Sequence, residues 1–227
     1  DPESSFVERE RLFNTPGSSW GDYASKLISK GGGVYSRSAK SVALSAEIKA
    51  CFNIQEDELS PTLLIKKILQ AEVDLIWNGG IGTYVKAHSE SHLDVGDRAN
   101  DALRVNGKDL QCRVFGEGGN LGMTQNGRIE FSLNGGACNT DFIDNAGGVD
   151  CSDREVNIKI LLNKLVVSKD LTHKKRNQFL ESMTDQVSAL VLANNYNQTL
   201  ALSLASYLCA NNFPEYARCM QDWEAQG

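Results

Sequence analysis

Apolar positions fall at helical spacing in the first clearly patterned part of the chain. Leu63, Leu64, Ile65, Ile68 and Leu69 share one face of a predicted helix over 61–71, and Pro61 suits its first turn. A second helical pattern covers 44–52. The run Val73-Asp74-Leu75-Ile76-Trp77 is nearly continuous in apolar character, which predicts a central parallel strand buried on both faces. It stops at Asn78-Gly79-Gly80. Two more apolar runs lead into glycine in the same way: Cys112-Arg113-Val114-Phe115 before Gly116-Glu117-Gly118-Gly119-Asn120, and Asp141-Phe142-Ile143 before Asp144-Asn145-Ala146-Gly147-Gly148. Between them, Arg128 to Leu133 alternates with period two and runs into Asn134-Gly135-Gly136, a hairpin signal. Ser152, Asp153 and Glu155 read as a helix start. From there the pattern is helical, with no glycine between Gly148 and Gly227. The first 27 residues are polar and mixed, and predict a short helix and a turn at Pro16-Gly17. A second start follows, with Trp20 and Tyr23 on one face as core contacts.

Helix, strand and glycine in that order form half of a doubly wound unit. The predicted fold class is therefore α/β: a partial Rossmann-like, mostly parallel sheet with a small β-hairpin insertion and an all-helical C-terminal part. Residues 1–150 are expected to form an incomplete dinucleotide-binding domain, and residues 151–227 a helical segment packing on it.

Composition narrows the function classes. Of the 227 residues, 41% are hydrophobic and 23% charged, enough apolar material for a core. A net charge of −6 with scattered Lys and Arg argues against a nucleic-acid partner. No apolar run approaches the roughly 20 residues of a membrane span. The chain opens at Asp1 without Met or signal peptide, so it is expected to be a fragment or processed product. Six cysteines without a Cys-x-x-Cys pair read as reduced thiols in a cytoplasmic protein.

A strand that stops at glycine and asparagine exposes main chain to which a flat ligand comes close. An Asn amide adds a donor and an acceptor, and a hydroxyl at a helix start can meet a carboxylate beside free N–H groups. Simpler readings stand beside these: Asn120 and Asn145 could occupy left-handed turns, Ser152 could be only an N-cap, and Glu117 is either an acid–base group or the anchor of its glycine turn. Lys30-Gly31-Gly32-Gly33 with Arg37 and Lys40 is either a phosphate cradle or a surface loop, and no Gly-Lys-Ser/Thr closes it. His88 and His92 would share a helix face near Asp94 and Asp97, but without a third firm ligand no metal is expected. Residues 97–101 read as a solvated face or, second, as part of an inter-element salt bridge. No Gly-x-Gly-x-x-Gly follows any strand.

Glu117-Gly118-Gly119-Asn120 followed by Asn145-Ala146-Gly147-Gly148-Val149, with Ser152 seven positions after Asn145, resembles the cofactor domain of glutamate dehydrogenases. The runs 28–35, 74–86, 116–125 and 139–162 resemble in particular the large NAD-specific bacterial branch, and the likeness extends from about Arg9 to Ser206. It implies NAD as cofactor, L-glutamate and 2-oxoglutarate as substrate and product, and a homo-oligomeric full-length enzyme. By resemblance, Asn145, Gly147 and Gly148 line the nicotinamide ribose pocket. Asn120, after Glu117, Gly118 and Gly119, sits by that ribose, and Ser152 contacts the substrate's side-chain carboxylate. The segment Asn78 to Thr83, opening with Asn78, Gly79 and Gly80, takes the place of the run Pro-Cys-Ala/Val-Thr-Gln-Asn of the small enzymes. The Gln-Asn pair is missing, so backbone contacts to the cofactor are expected there. Gly122 replaces the family's proline. The phosphate loop and the catalytic Lys and Asp lie upstream in that family, so none of the catalytic groups is expected among these residues, and the isolated chain is expected to be inactive. Two other classes remain open: a non-catalytic interaction module with a degenerate nucleotide-binding fold, and a phosphate-handling enzyme using Lys30 to Lys40.

Overall fold

A computed structural model describes residues 2–227. It divides into two compact units. The first is the chain up to Gly116 together with Leu121–Cys138; the second is Glu117–Asn120 together with Asn139–Gly227.

The first unit opens with α1 (Pro2–Phe13). Its Glu8 is buried and takes two hydrogen bonds from Arg11 and one from the Ala24 N–H. Strand β1 (Val42–Ala43), helix α2 (Ala46–Phe52), strand β2 (Glu58–Leu59) and helix α3 (Pro61–Leu69) come next. Serines cap both helices: Ser45 accepts from Ile48 N–H and Ser60 from Leu63 N–H. β1 and β2 pair antiparallel, and Val42, Ile54, Leu59 and Leu64 make a small core around them. Both helices lie where apolar spacing predicts them.

Strand β3 (Leu75–Asn78) precedes β4 (Val85–Lys86), the short helix α4 (His92–Val95), β5 (Val105–Asn106), β6 (Val114–Glu117), helix α5 (Gln125–Leu133) and β7 (Ala137–Cys138). The sheet runs β3-β6-β7, with β6 and β7 parallel. Parallel neighbours need a crossover, and α5 is that crossover. Two expectations are corrected here. Residues 128–133 form no hairpin: Thr124 caps a helix by accepting the Gly127 N–H at 2.9 Å, and Gly127, Arg128 and Phe131 are buried at helical spacing while Ile129 is exposed. Helical spacing thus overrides the apparent period of two. Strand β3 is also not buried on both faces. It lies at one end of this three-stranded order, and Leu75 and Trp77 on its outer face are 54% and 58% exposed. The central place falls to β6, whose Phe115 is fully buried with Val85, Val105, Met123 and Phe131.

The second unit holds α6 (Asp141–Asp144), α7 (Val149–Val167), α8 (His173–Ser182) and α9 (Thr184–Gln226). The helical C-terminal part is as expected, but the apolar run at 141–143 is a helical turn and not a strand. Helix α7 begins at Val149, earlier than Ser152, with Gly148 at its cap position. Val191 of α9 and Leu162 of α7 are buried, while Tyr207, Phe213 and Trp223 further along α9 face solvent. Asn212 breaks the helical geometry of α9 at φ −112°, two residues before Pro214, whose ring cannot join a regular hydrogen-bond ladder.

Candidate functional site

The two glycine-rich runs meet inside the second unit. Glu117–Asn120 belongs to it, although Glu117 is also the last residue of β6. Asn145 Nδ2 donates to Asn120 Oδ1 at 2.7 Å. Asp144 fastens the same two stretches one residue earlier: its Oδ2 accepts the Glu117 N–H at 3.0 Å, and its Oδ1 accepts Asn139 Nδ2 at 3.0 Å. Glu117 itself is fully buried.

Backbone conformation does not account for the two asparagines. Among the described non-glycine residues, Asn53, Leu121 and Lys169 are left-handed; Asn120 and Asn145 are not, and Asn145 sits at φ −93°, ψ 37°. Their amides are engaged with each other. Gly148 follows from that pairing, because a Cβ there would fall on the Asn145 side-chain amide. A Cβ on Gly147 would meet no protein atom within 4 Å, so the protein itself makes no demand for glycine at that position.

Ser152 lies in the first turn of α7 and is exposed. The N-cap reading is corrected, since the cap position is Gly148. The idea of free N–H groups beside Ser152 is corrected too. The Val149 N–H donates to Asn145 O, and the Asp150 and Cys151 N–H groups both donate to Ala146 O. Those three N–H groups are therefore engaged within the chain, and the Ser152 hydroxyl is exposed beside them.

In the first unit, Asn78 ends β3 and Gly79-Gly80 follow it. Asn78 Oδ1 accepts the Gly80 N–H at 3.3 Å, and Asn78 Nδ2 is buried with no protein partner. A buried amide donor left unmade costs about 1–3 kcal/mol, which a ligand carbonyl or hydroxyl would remove. Trp77 passes over β6 so closely that a Cβ on Gly116 would come within 2.5 Å of its ring.

The turn after Gly80 is anchored. Tyr84 Oη donates to Ile81 O, and the Thr83 N–H donates to Asp97 Oδ2 at 2.8 Å. Arg104 Nε donates to Thr83 O at 2.7 Å. The Arg104 side chain is fully buried and also reaches Asp101, the Asp97 carbonyl and His92 Nδ1. Asp97 is held below the usual carboxylate range, first by the Asn100 side-chain amide and then by the Thr83 N–H, against desolvation. Residues 97–101 are thus not simply a solvated face; they form half of a polar clasp around a buried guanidinium. The two histidines part company: His88 pairs with Glu130 at 2.7 Å, and His92 accepts from Arg104. In the loop at 30–33, a Cβ on Gly31 would strike Glu47 and one on Gly33 the Tyr35 ring, so packing inside the chain accounts for those glycines.

The structure therefore joins Asn120 to Asn145 and Glu117 to Asp144 in the second unit, which also holds Gly118, Gly119, Gly147, Gly148 and Ser152, and places Asn78, Gly79 and Gly80 in the first. The sequence reading missed Asp144, Asn139, Asn194 and Asn195. Asp144 carries a weak signal, as an acidic residue directly before the Asn-Ala-Gly-Gly run. Asn194 and Asn195 carry another: two poor helix formers in the middle of a long helix.

A family model described as the catalytic domain of bacterial NAD-glutamate dehydrogenase matches residues 1–205. Over its full length the chain is 64% identical to a protein of Pseudomonas aeruginosa and 57% identical to one of Halomonas elongata, covering 14% of each relative. It is 52% identical over 96% of its length to a protein of Mycobacterium tuberculosis, again 14% of that relative. Each of the three is named an NAD-specific glutamate dehydrogenase.

Proposed function

The chain belongs to the family of bacterial NAD-glutamate dehydrogenase catalytic domains, and from that premise we propose that it forms the nicotinamide side of the reaction centre and one substrate contact. The full-length enzyme then oxidatively deaminates L-glutamate to 2-oxoglutarate and ammonium. The observation that carries this reading is the hydrogen bond between Asn120 and Asn145, two amides brought together although neither asparagine is itself left-handed.

NAD, when bound, accepts the hydride that leaves the α-carbon of glutamate. The residues here fit such a cofactor. Asn120 and Asn145 present amide donors and acceptors of the kind that hold ribose hydroxyls and a carboxamide. Gly147 leaves open main chain where a ring can approach. In the first unit, Asn78 Nδ2 is a buried donor in want of an acceptor, with the bare backbone of Gly79 and Gly80 beside it. Fixing distance and face is the protein's main contribution to hydride transfer.

Ser152 acts on the other reactant. Its exposed hydroxyl, in the first turn of α7, donates to the distal carboxylate of glutamate and so orients the α-carbon. Glu117, fully buried with its N–H held by Asp144, anchors the Gly118-Gly119 turn. The same reading assigns the enzyme to the cytoplasm as a homo-oligomer. Among the described residues no helix is long and apolar enough to cross a membrane, which is compatible with that assignment.

The test is Ser152→Ala in the full-length enzyme. The glutamate KM is expected to rise about tenfold, the value of one charge-assisted hydrogen bond, with the NAD KM nearly unchanged. An unchanged glutamate KM and kcat would overturn the assignment.

A further inference from the structure

Helix α9 holds both flanks of the turn that carries Asn145. Asn195 Nδ2 donates to the Ile143 carbonyl at 2.6 Å, just before the turn. Asn194 Nδ2 donates to Asp150 Oδ2 at 3.0 Å, just after it. The two donors are consecutive residues of one helix, so a single rigid element sets the spacing between the two ends of 143–150.

Local chemistry explains why these ties count. Helix α6 is only four residues long: its Asp141 carbonyl accepts the Asn145 N–H, and the carbonyls after it need partners from outside the helix. Asn195 supplies one of them. On the other flank, Asp150 also lies 3.3 Å from Arg154 Nε as an ion pair without hydrogen-bond geometry, so Asn194 supplies the directed contact to its carboxylate. Asparagine is a poor helix former, and two in succession inside α9 weaken that helix locally. Their return is made outside α9, at the turn. Val191, one turn earlier on the same helix, is buried, as are Ile143 and Ala146 in and beside the turn. The polar ties thus sit where α6 and α7 pack against α9.

We propose that Asn194 and Asn195 are positioning residues for nicotinamide binding: helix α9 sets the Asp144–Gly148 turn so that Asn145 meets both Asn120 and the cofactor. This rests on the reading of Asn145 as a cofactor contact. It assigns a role in cofactor binding to a helix that carries none of the residues placed at the pocket.

The test uses the full-length enzyme. Asn195→Asp keeps the size of the side chain and turns a donor toward Ile143 O into an acceptor. It is expected to raise the NAD KM about fivefold to tenfold, since the loss of one hydrogen bond shifts binding by about that factor. The melting midpoint should match that of Asn197→Ala, an exposed position on the same helix. A merely structural role would lower the amount of active enzyme, and so kcat, and leave KM where it was. If Asn195→Asp also lowers the melting midpoint, Asn194→Ser removes the other tie and is expected to give the same rise in NAD KM. Asn145→Ala, measured in parallel, separates two kinds of failure. A raised NAD KM for Asn145→Ala with normal values for both α9 variants overturns the positioning role alone. Normal values for all three overturn the pocket reading as well.

Discussion

Asn145 Nδ2 and Asn120 Oδ1 lie 2.7 Å apart, joining two stretches 25 residues apart in sequence. The contact orders the effects expected of changes at Asn120. Asn120→Asp keeps the oxygen that accepts from Asn145 and loses a donor; Asn120→Ala loses both. In steady-state assays of the full-length enzyme, kcat/KM for NAD is expected to fall about threefold for Asp and about tenfold for Ala. Equal values for both variants and the parent would count against the pair's role.

Gly147 and Gly148 answer different demands, and alanine separates them. At Gly148 a methyl group displaces the Asn145 amide, which is a protein contact. At Gly147 it meets nothing in the protein. Gly147→Ala is therefore expected to leave the melting midpoint unchanged while raising the NAD KM, because the ligand alone feels the added carbon. Gly148→Ala is expected to reduce both stability, by about 1 kcal/mol, and activity. If Gly147→Ala left the KM untouched, close approach of a ligand there would be ruled out.

Arg104 organises the turn that follows Gly80. Its side chain is fully buried, yet it bonds Thr83 O, Asp97 O, Asp101 and His92. Arg104→Met leaves these acceptors unpaired. Their partial exposure softens the penalty, so a loss near the lower end of the buried-pair range, about 3 kcal/mol, is expected. Amide exchange at Thr83 and Tyr84 would report it locally. Protection within about 0.5 kcal/mol of the parent would contradict the account.

Acid should loosen the N-terminal part of the first unit. Arg11's hydrogen bonds, then the Ala24 N–H, pull the Glu8 carboxyl from an ordinary 4.5 down to about 2. A depressed folded pKa stabilises above the unfolded value and is lost as pH falls through the folded one. The contact between α1 and Ala24 is thus expected to weaken between about pH 4.5 and pH 2. Exchange of the Ala24 amide across that range should show it, and Glu8→Gln should abolish the dependence. A pH-independent Ala24 amide in the parent protein would refute it.

The sequence announced some elements and hid others for identifiable reasons. Helices α2 and α3 were legible because Ser45, Ser60 and Pro61 mark their starts and their apolar spacing is regular. Helix α5 was not, because Arg128, Ile129, Glu130 and Phe131 alternate like a strand. Only the Thr124 cap and the need for a crossover between parallel strands tell otherwise. The exposed outer face of β3 could not be read from Val73 to Trp77, since an apolar run looks the same at a sheet's edge and at its centre. Asn120 and Asn145 stood out by motif, but their mutual hydrogen bond needed the fold. Asn194 and Asn195 offered only the weak signal of two poor helix formers in succession, because their partners, Asp150 and Ile143 O, lie 44 and 52 residues away. Arg104 was likewise hidden, since nothing in a polar stretch tells a buried guanidinium from a solvated one.

The claim that matters most is that the turn holding Asn145 touches the cofactor. It is tested most directly by the dissociation constant of NADH for the full-length enzyme carrying Asn145→Ala, read by fluorescence titration. A loss of about tenfold in affinity at an unchanged melting midpoint is predicted. An NADH affinity equal to the parent's, in a protein that melts normally, would contradict it.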